Sequence, residues 1–345
     1  MKKQILAIAI AAGLAASLTA QAGESKVYGR VHVSLDNIET NGGAANGGKD
    51  AELNLSDRKS AFGYKGSEDL GGGLTVFGKF EWSVNPTDTG SAIGVRDRYI
   101  GLKKAGMGTF KFGTMSNNYK QTAAKMDPFW HTAVEGRATF GASPLTNGSN
   151  DDGGRMSNLF QFNMAPMGGI GFVMNAQLNG TGEMTTGFGV RYKAKGLYAF
   201  IDTLKYENDY DNGAAVTDGL TDVAGHVAGE SATKFGAKYT MGAVTAGVTV
   251  EQTADLTASA KNAKDGYDFT TLMATYKMNA NDTVAFTYGM AAGDSVVAVD
   301  ADTMAIGYMH NMSKRTSVYG AYHDRSSDDK TMEQNGVSFG LKHSF

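Results

Sequence analysis

Apolar and polar residues alternate along most of this chain, in segments of about ten residues separated by glycine-rich or polar stretches. In an early segment, Val27, Val31 and Leu35 share one face of an extended chain, while Arg30 and Asp36 share the other. The same period returns at Leu74, Val76, Phe80 and Trp82, at Leu272, Ala274, Tyr276 and Met278, and at Val284, Phe286, Tyr288 and Met290. A period of two predicts β-strands whose two faces meet different environments.

Sixteen such segments fit the chain, and the connections between them alternate in length. We predict strands near 26–36, 57–67, 73–84, 94–104, 107–115, 154–164, 169–178, 184–194, 196–206, 232–240, 243–252, 268–277, 281–291, 301–311, 315–324 and 335–345. Tight turns such as 68–73 and 104–108 interleave with long polar connections near 38–54, 116–153, 206–231 and 253–266, all at one end. A β-sandwich mixes loop lengths at both ends, whereas this asymmetry is typical of a bacterial membrane barrel. We therefore predict an all-β fold, a sixteen-stranded antiparallel transmembrane β-barrel around an aqueous lumen.

The first 22 residues have the features of a secretory signal peptide. Two lysines precede an apolar stretch from Ile5 to about Leu18, and Ala20 and Ala22 place small residues at the recognition positions. The alternative, a membrane anchor, is disfavoured because the stretch is short and rich in alanine. We predict cleavage after Ala22, which leaves 345 − 22 = 323 residues, 23–345, as a single barrel domain.

Composition agrees with export and with a membrane barrel. The chain has no cysteine, so its stability outside the cell must have a source other than disulfides, such as a closed hydrogen-bonded sheet. No apolar run after residue 22 approaches the length of a spanning helix. Loss of the two leading lysines changes the net charge from −3 to −5, with 30 basic against 35 acidic residues. A negative balance argues against a nucleic-acid partner.

The last ten residues, GVSFGLKHSF, alternate without a break, and the chain stops on Phe345. Nothing follows to cover the apolar face of Val337, Phe339 and Leu341, so its cover must come from outside the strand. This ending resembles the closing strand of Gram-negative outer-membrane barrels. The resemblance implies that Phe345 is the signal that the barrel-assembly machinery recognises.

The longest connection is predicted to obstruct the lumen. Long structureless segments in compact domains are usually functional or disordered. This one, 117–153, carries Met126, Phe129, Trp130, Val134 and Phe140, which a disordered outer loop would have little reason to contain. We expect it to fold inward as the third loop of the barrel.

Several passages resemble the general diffusion porins of Gram-negative bacteria, across nearly the whole chain after residue 22. They are KVYGRVHVSLD at 26–36, SAFGYKGSEDLGGGLTVFGKFEW at 60–82, RDRYIGLKKAGMGTFKFGTM at 96–115, GGRMSNLFQF at 153–162 and GYMHNMSKRTSVYGAYHD at 307–324. The resemblance implies a homotrimer in the outer membrane. It also implies a third loop folded inward, with acidic loop residues that face a cluster of basic residues on the wall.

Transferred position by position, that basic cluster falls on Arg30, Arg96 and Arg155. A further arginine of the family pattern falls on Ala61, where Lys59 on the same predicted strand face is a replacement. Arg98, predicted to share the face of Arg96, and Lys65 complete the basic set.

The family's acidic loop motif is replaced here by MDPFWHT. Asp127 and Glu135 are therefore the predicted opposing acids. Opposed charges across a narrow gap create a transverse field that favours small hydrophilic solutes.

The sequence predicts a passive channel for small hydrophilic solutes and ions, without a cofactor, a metal site or a reaction. The six histidines lack the spacing of a metal site, and no residues form a recognisable nucleophile motif. Two alternatives stay open at this point. One is a substrate-specific channel for anions or oligosaccharides, and the other is a surface adhesin or structural barrel with a closed lumen. Ion selectivity also stays open, because the overall charge favours cations and the basic cluster favours anions.

Overall fold

The computed structural model describes residues 23–42, 49–89, 93–142, 154–178, 184–206, 231–254, 266–293, 300–328, 330 and 332–345. The predicted signal peptide and the tips of several long connections lie outside these residues. The strands are β1 (Glu24–Gly42), β2 (Lys49–Asp57), β3 (Ala61–Gly71), β4 (Leu74–Ser83), β5 (Gly94–Lys104), β6 (Gly108–Ser116), β7 (Arg155–Met164), β8 (Ile170–Gln177), β9 (Thr186–Ala194), β10 (Leu197–Lys205), β11 (Ser231–Met241), β12 (Val244–Ala254), β13 (Tyr267–Lys277), β14 (Asp282–Gly293), β15 (Ala301–Asn311), β16 (Thr316–Ser327) and β17 (Met332–Ser344). One helix, α1 (Asn118–Met126), lies between β6 and β7.

Every strand pairs antiparallel with its neighbours, and β1 pairs with β17 to close the sheet. β2 and β3 both pair with β1, β2 along its second half and β3 along its first. They are therefore two pieces of one barrel strand, and the closed barrel has the sixteen positions that the alternation predicted.

The interruption between β2 and β3 is built by residues 58–60. The Asp57 carboxylate accepts hydrogen bonds from the backbone N–H groups of Lys59 (3.1 Å) and Ser60 (3.0 Å). Lys59 has a φ of 65°, in the left-handed region that side chains other than glycine rarely adopt. The chain thus kinks at Lys59, which projects from a break in the wall and not from a regular strand.

The predicted strand positions agree with the structure within a few residues, with one larger error. A polar connection was expected over 38–54, but β1 continues to Gly42 and β2 begins at Lys49. The register joins Glu39 to Asn335 and Asn37 to Leu53, so this stretch is paired on both sides. In β1 the positions that follow Leu35 on its face, Asn37 and Glu39, are polar, so the alternation ends early. In β2 the alternation persists, with Leu53 70% and Leu55 58% exposed, and the sequence-based prediction overlooked it.

The barrel wall has an apolar outer face and a polar inner face. Val27 is 67% exposed and Leu35 is 47% exposed, whereas His32, Ser34 and Asp36, which alternate with them, are buried. The short turns and both ends of the described chain lie at one rim, and the long connections lie at the other. None of the helices in the described part of the chain is long and apolar enough to cross a membrane.

The ladder between β1 and β17 extends to the last residue. Phe345 donates its backbone N–H to the Gly29 carbonyl (3.0 Å), and Gly29 donates to the Phe345 carbonyl (3.2 Å). The ring of Phe345 lies so close to Gly29 that a side chain there would collide with it. Phe345 therefore helps to close the barrel, while its role in assembly stays a prediction.

Candidate channel constriction

Helix α1 is held against the barrel wall by buried polar groups. Asn118 donates to Asp202 (2.7 Å), and the Thr122 hydroxyl donates to the other carboxylate oxygen (2.5 Å). The Tyr119 hydroxyl donates to Glu251 (2.7 Å). The Asn117 side chain caps the first turn by accepting from the Lys120 N–H (2.9 Å). These bonds join the helix to β10 and β12.

The chain after α1 packs against the next part of the wall. Phe129 is 1% exposed and lies in an apolar cluster with Ala285, Ala305 and Tyr319. Phe140 meets Phe269 edge-on, with ring centroids 5.3 Å apart. Two threonines of the wall also donate hydrogen bonds to the backbone of this loop segment. Thr271 donates to the Gly141 carbonyl (2.7 Å), and Thr303 donates to the Thr139 carbonyl (2.8 Å).

These contacts reach strands from β10 to β16, always on the polar face of the wall. In a closed barrel that face encloses the lumen. We infer that residues 118–142 occupy part of the lumen and leave the remaining passage along β1 to β7.

The wall along that passage carries an ion-pair network that the sequence reading missed. Arg96 pairs with Glu81 (2.5 Å), and Arg155 pairs with Asp97 (2.9 Å). Lys79 bridges the two carboxylates, at 2.9 Å from Asp97 and 3.1 Å from Glu81. The partners of the wall arginines are therefore acids of β4 and β5, not acids of the loop.

A β-bulge explains why Asp97 was overlooked. The register joins Phe80 to Arg98 but Trp82 to Val95, so two residues of β5, Arg96 and Asp97, lie opposite Glu81. Both point into the lumen. Glu81 belongs to the polar face of a predicted strand, whereas strict alternation would have directed Asp97 outward.

The same bulge corrects the prediction for Arg98. Its register partner on β4 is Phe80, which lies on the outer face and is 50% exposed. Ile100, two residues further along β5 on the same face, is 59% exposed. Arg98 therefore lies on the outer face of the barrel and does not join the constriction.

Arg30 and Lys59 lie at the passage without an acidic partner. Arg30 donates through Nε to the Lys59 carbonyl (2.8 Å), and its buried Nη2 has no hydrogen-bond partner. Neither side chain forms an ion pair with any residue that the structure describes. Asp57 is the unpaired carboxylate near both of them, so the two cations together carry more charge than it can balance.

The loop side chains near these cations are His131, Glu135 and Arg137. Burial, followed by the charges of Arg30 and Arg137, holds the pKa of His131 far below its usual range, so the imidazole is neutral. The Glu135 carboxylate accepts a hydrogen bond from the backbone N–H of His131 (2.7 Å) and forms an ion pair with Arg137 (3.0 Å). The Arg137 guanidinium lies 3.8 Å from the ring centroid of Trp130.

Of the two predicted loop acids, the structure brings only Glu135 towards the basic wall. Its charge acts on Lys59 and on Lys120, but Arg137 already compensates it. Asp127 accepts from the N–H groups of Phe129 and Gly136, each at 2.8 Å, and lines the space between the loop and β11 to β15. Its carboxylate braces the loop and does not oppose the arginines.

Lys65 lies nearer the short-turn rim. Its Cα register partners are Lys26 on β1 and Lys79 on β4, and its Nζ lies 5.6 Å from the ring centroid of Tyr28. It faces the lumen, below the constriction.

An antiparallel barrel with an apolar outer face and a charged lumen defines a channel-forming protein of the bacterial outer membrane. A family model for Gram-negative porins matches residues 6–330, and the chain belongs to that family. It is an outer-membrane channel for solutes and ions, which confirms the predicted family and location.

The chain is also similar to individual porins. It is 24% identical to the major outer membrane protein P.IB of Neisseria lactamica over 359 residues, covering 100% of both chains. Among solved structures, an anion-selective porin from Comamonas acidovorans matches with a TM-score of 0.75 and 20% identity, covering 94% of this chain and 100% of that one. The trimer form of OmpT, an outer membrane protein of Vibrio cholerae, matches with a TM-score of 0.68 and 14% identity, with the same coverage. At these identities the two structures show the fold alone.

Proposed function

We propose that the protein is a passive diffusion channel for small hydrophilic solutes that favours anions and catalyses no reaction. The observation that carries this proposal is the imbalance of charge at the constriction. Arg30 and Lys59 form no ion pair among the described residues, and Asp57, bonded to the backbone N–H groups of Lys59 and Ser60, is the one carboxylate near them that is not paired with a cation. One carboxylate against two cations leaves an excess of positive charge.

The acidic residues near the passage contribute less net negative charge there than their number in the sequence suggests. Glu81 and Asp97 are shared among Lys79, Arg96 and Arg155, and Glu135 is paired with Arg137. Asp127 faces away from the passage and is bonded to backbone N–H groups. The field across the passage is therefore positive, although the chain after residue 22 carries −5.

Local charge decides selectivity because an ion passing a narrow, partly desolvated gap responds to the groups nearest to it. Distant surface charges are screened over roughly 8 Å at physiological salt. The similar porin from Comamonas acidovorans is described as anion-selective, which agrees with this reading of the site.

The test is the reversal potential of single channels across a potassium chloride gradient. We expect the wild type to favour chloride, and Arg30→Glu to move the reversal potential strongly towards potassium. Lys59→Glu should move it in the same direction, and Lys314→Glu, in a turn at the short-turn rim, serves as the matched control. A cation-selective wild type, or an Arg30→Glu channel that retains the wild-type value, would reject the proposal.

We also propose that the protein assembles as a homotrimer through the outer face of β1 to β5. Arg98 lies near the middle of β5 on that face, where contact with lipid would cost about 2–4 kcal/mol. A neighbouring subunit would remove that cost. The trimer form of the similar Vibrio cholerae protein is consistent with this arrangement. Lipid covers the rest of the outer face in this proposal, and the barrel-assembly machinery inserts the chain.

A further inference from the structure

A second group of cations extends from the constriction, beginning at Lys79, towards the short-turn rim. Lys26, Lys65 and Lys79 are register partners on three neighbouring pieces of the wall, β1, β3 and β4. Neighbouring strands lie about 4.8 Å apart, so three like charges form one row across the lumen wall. Like charges directly opposite each other on paired strands are unfavourable, so folding alone does not explain the row.

Tyrosine rings lie between these lysines. Tyr28 lies 5.6 Å from the Nζ of Lys65 and 5.9 Å from the Nζ of Lys79, and its hydroxyl donates to Glu81 (2.9 Å). On the far side of Lys79, its register partner Tyr99 lies 5.4 Å from the Nζ of Lys111. We call Lys26, Lys65, Lys79 and Lys111 the lysine row.

The nearby acids leave most of this row uncompensated. Lys79 is paired with Glu81 and Asp97, which also serve Arg96 and Arg155. Within the part of the chain that the structure describes, Lys26, Lys65 and Lys111 form no ion pair. Glu24, two residues before Lys26, does not pair with it either.

We propose that the lysine row binds short linear polyanions of the oligophosphate type. A chain of linked phosphates presents several negative charges at spacings that flexible ammonium groups can follow, and it would relieve the repulsion within the row. A monovalent anion can neutralise only one of these lysines at a time. This inference rests on the proposed anion channel and names a class of solute that it retains.

The lysine row lies on one particular side of the constriction, the side of the short turns. Short turns of bacterial outer-membrane barrels lie in the periplasm. An oligophosphate on the row would therefore sit on the periplasmic side of the constriction, in the path of chloride, and would reduce the current.

The experiment measures block of the chloride current by inorganic tripolyphosphate in planar bilayers, with monovalent chloride as the background salt. We expect the wild type to show saturable block. The double variant Lys26→Gln/Lys65→Gln should raise the half-blocking concentration by about tenfold or more, as expected for the loss of two charge contacts. Lys314→Gln, at the same rim but away from the row, should keep the wild-type value.

The outcomes separate this inference from the proposed function. If the channel favours chloride but tripolyphosphate does not block it, the row binds no oligophosphate and the anion preference stands. If block persists in the double variant and disappears in Arg30→Gln, the anion binds at the constriction and the inference is wrong. A cation-selective channel would instead reject the proposed function. Heat-dependent mobility of each variant on a denaturing gel confirms that the barrel has folded.

Discussion

At the scale of single residues, Asp127 is a titratable group behind the constriction. It faces away from the passage and acts on it only through the charge of the loop and its interaction with Glu135. Loss of solvent around the carboxylate, followed by the negative charge of Glu135, raises the pKa of Asp127 to about 6. As the pH falls through that value, Asp127 takes up a proton and the loop becomes more positive. His131 does not titrate in this range because its pKa lies far below its usual value.

We therefore predict that the preference for anions increases by a small amount between about pH 7 and pH 5, with a midpoint near the raised pKa of Asp127, because this carboxylate lies behind the loop and not in the passage. Asp127→Asn should hold the preference at its low-pH value throughout. The measurement is the reversal potential in a potassium chloride gradient at a series of pH values. Asp268→Asn, an exposed carboxylate on β13, is the control, and a pH step that persists in Asp127→Asn would contradict the assignment.

The sequence identified the wall cations better than their partners. Arg30 and Arg155 point into the lumen, and alternation or family resemblance is enough to place them there. The assignment failed at Asp97 and Arg98 because one inserted residue in β5 reverses the faces of the strand beyond it. No residue type marks the position of a β-bulge, so the pattern of apolar and charged residues in the sequence does not reveal it.

At the scale of elements, Asp202 anchors helix α1 to the wall. It is fully buried, accepts from Asn118 and Thr122, and pairs with Arg191 (2.7 Å). Asp202→Ala would remove the acceptor of the Thr122 hydroxyl and the ion-pair partner of Arg191, while Asn118 keeps its bond to the Phe188 carbonyl (3.0 Å). Removing one partner of a buried pair costs about 3–5 kcal/mol. We expect α1 to detach part of the time, which would enlarge the passage.

Single-channel recordings and liposome swelling with sugars of increasing size would detect that change. Asp202→Ala should give noisier and larger conductance steps and admit larger sugars than the wild type. Asp268→Ala removes a carboxylate that has no contact with the loop and should have no effect. Unchanged conductance and an unchanged size limit would show that the loop is held without this anchor.

Strands were more predictable than the helix, for a physical reason. Each strand separates an apolar exterior from a polar lumen, so its side chains record the alternation. Helix α1 buries Tyr119 and Met126, but it buries Asn118, Lys120 and Thr122 as well. Polar residues therefore interrupt the apolar stripe that usually indicates an amphipathic helix, and the partners of these polar residues come from distant strands.

At the scale of the whole molecule, the total charge does not describe the channel. The chain after residue 22 carries −5, yet the described passage carries cations without acidic partners. The ion selectivity therefore cannot be predicted without knowing which acidic residues pair with which basic residues. That information lies in the register of β4, β5 and β7 and was not accessible from composition.

The outer face of β5 leads to a prediction about assembly. Arg98 lies between the exposed side chains of Phe80 and Ile100, next to Gly66 and Gly78, which are register partners on β3 and β4 and leave room for a neighbour. If this face met lipid, Arg98→Leu would remove a charge from hydrocarbon and stabilise the barrel. If a second subunit covers it, the same change removes a polar contact and weakens the oligomer.

We predict the second result: Arg98→Leu lowers the temperature at which the oligomer dissociates on native gels, while the barrel itself stays folded. The two cases differ in sign, so one variant distinguishes them. Phe286→Leu, on the outer face of β14, is the matched control for a change in outward packing and should leave the oligomer unchanged. A monomeric wild type, or an Arg98→Leu oligomer that dissociates at a higher temperature, would place this face in lipid and remove the proposed interface.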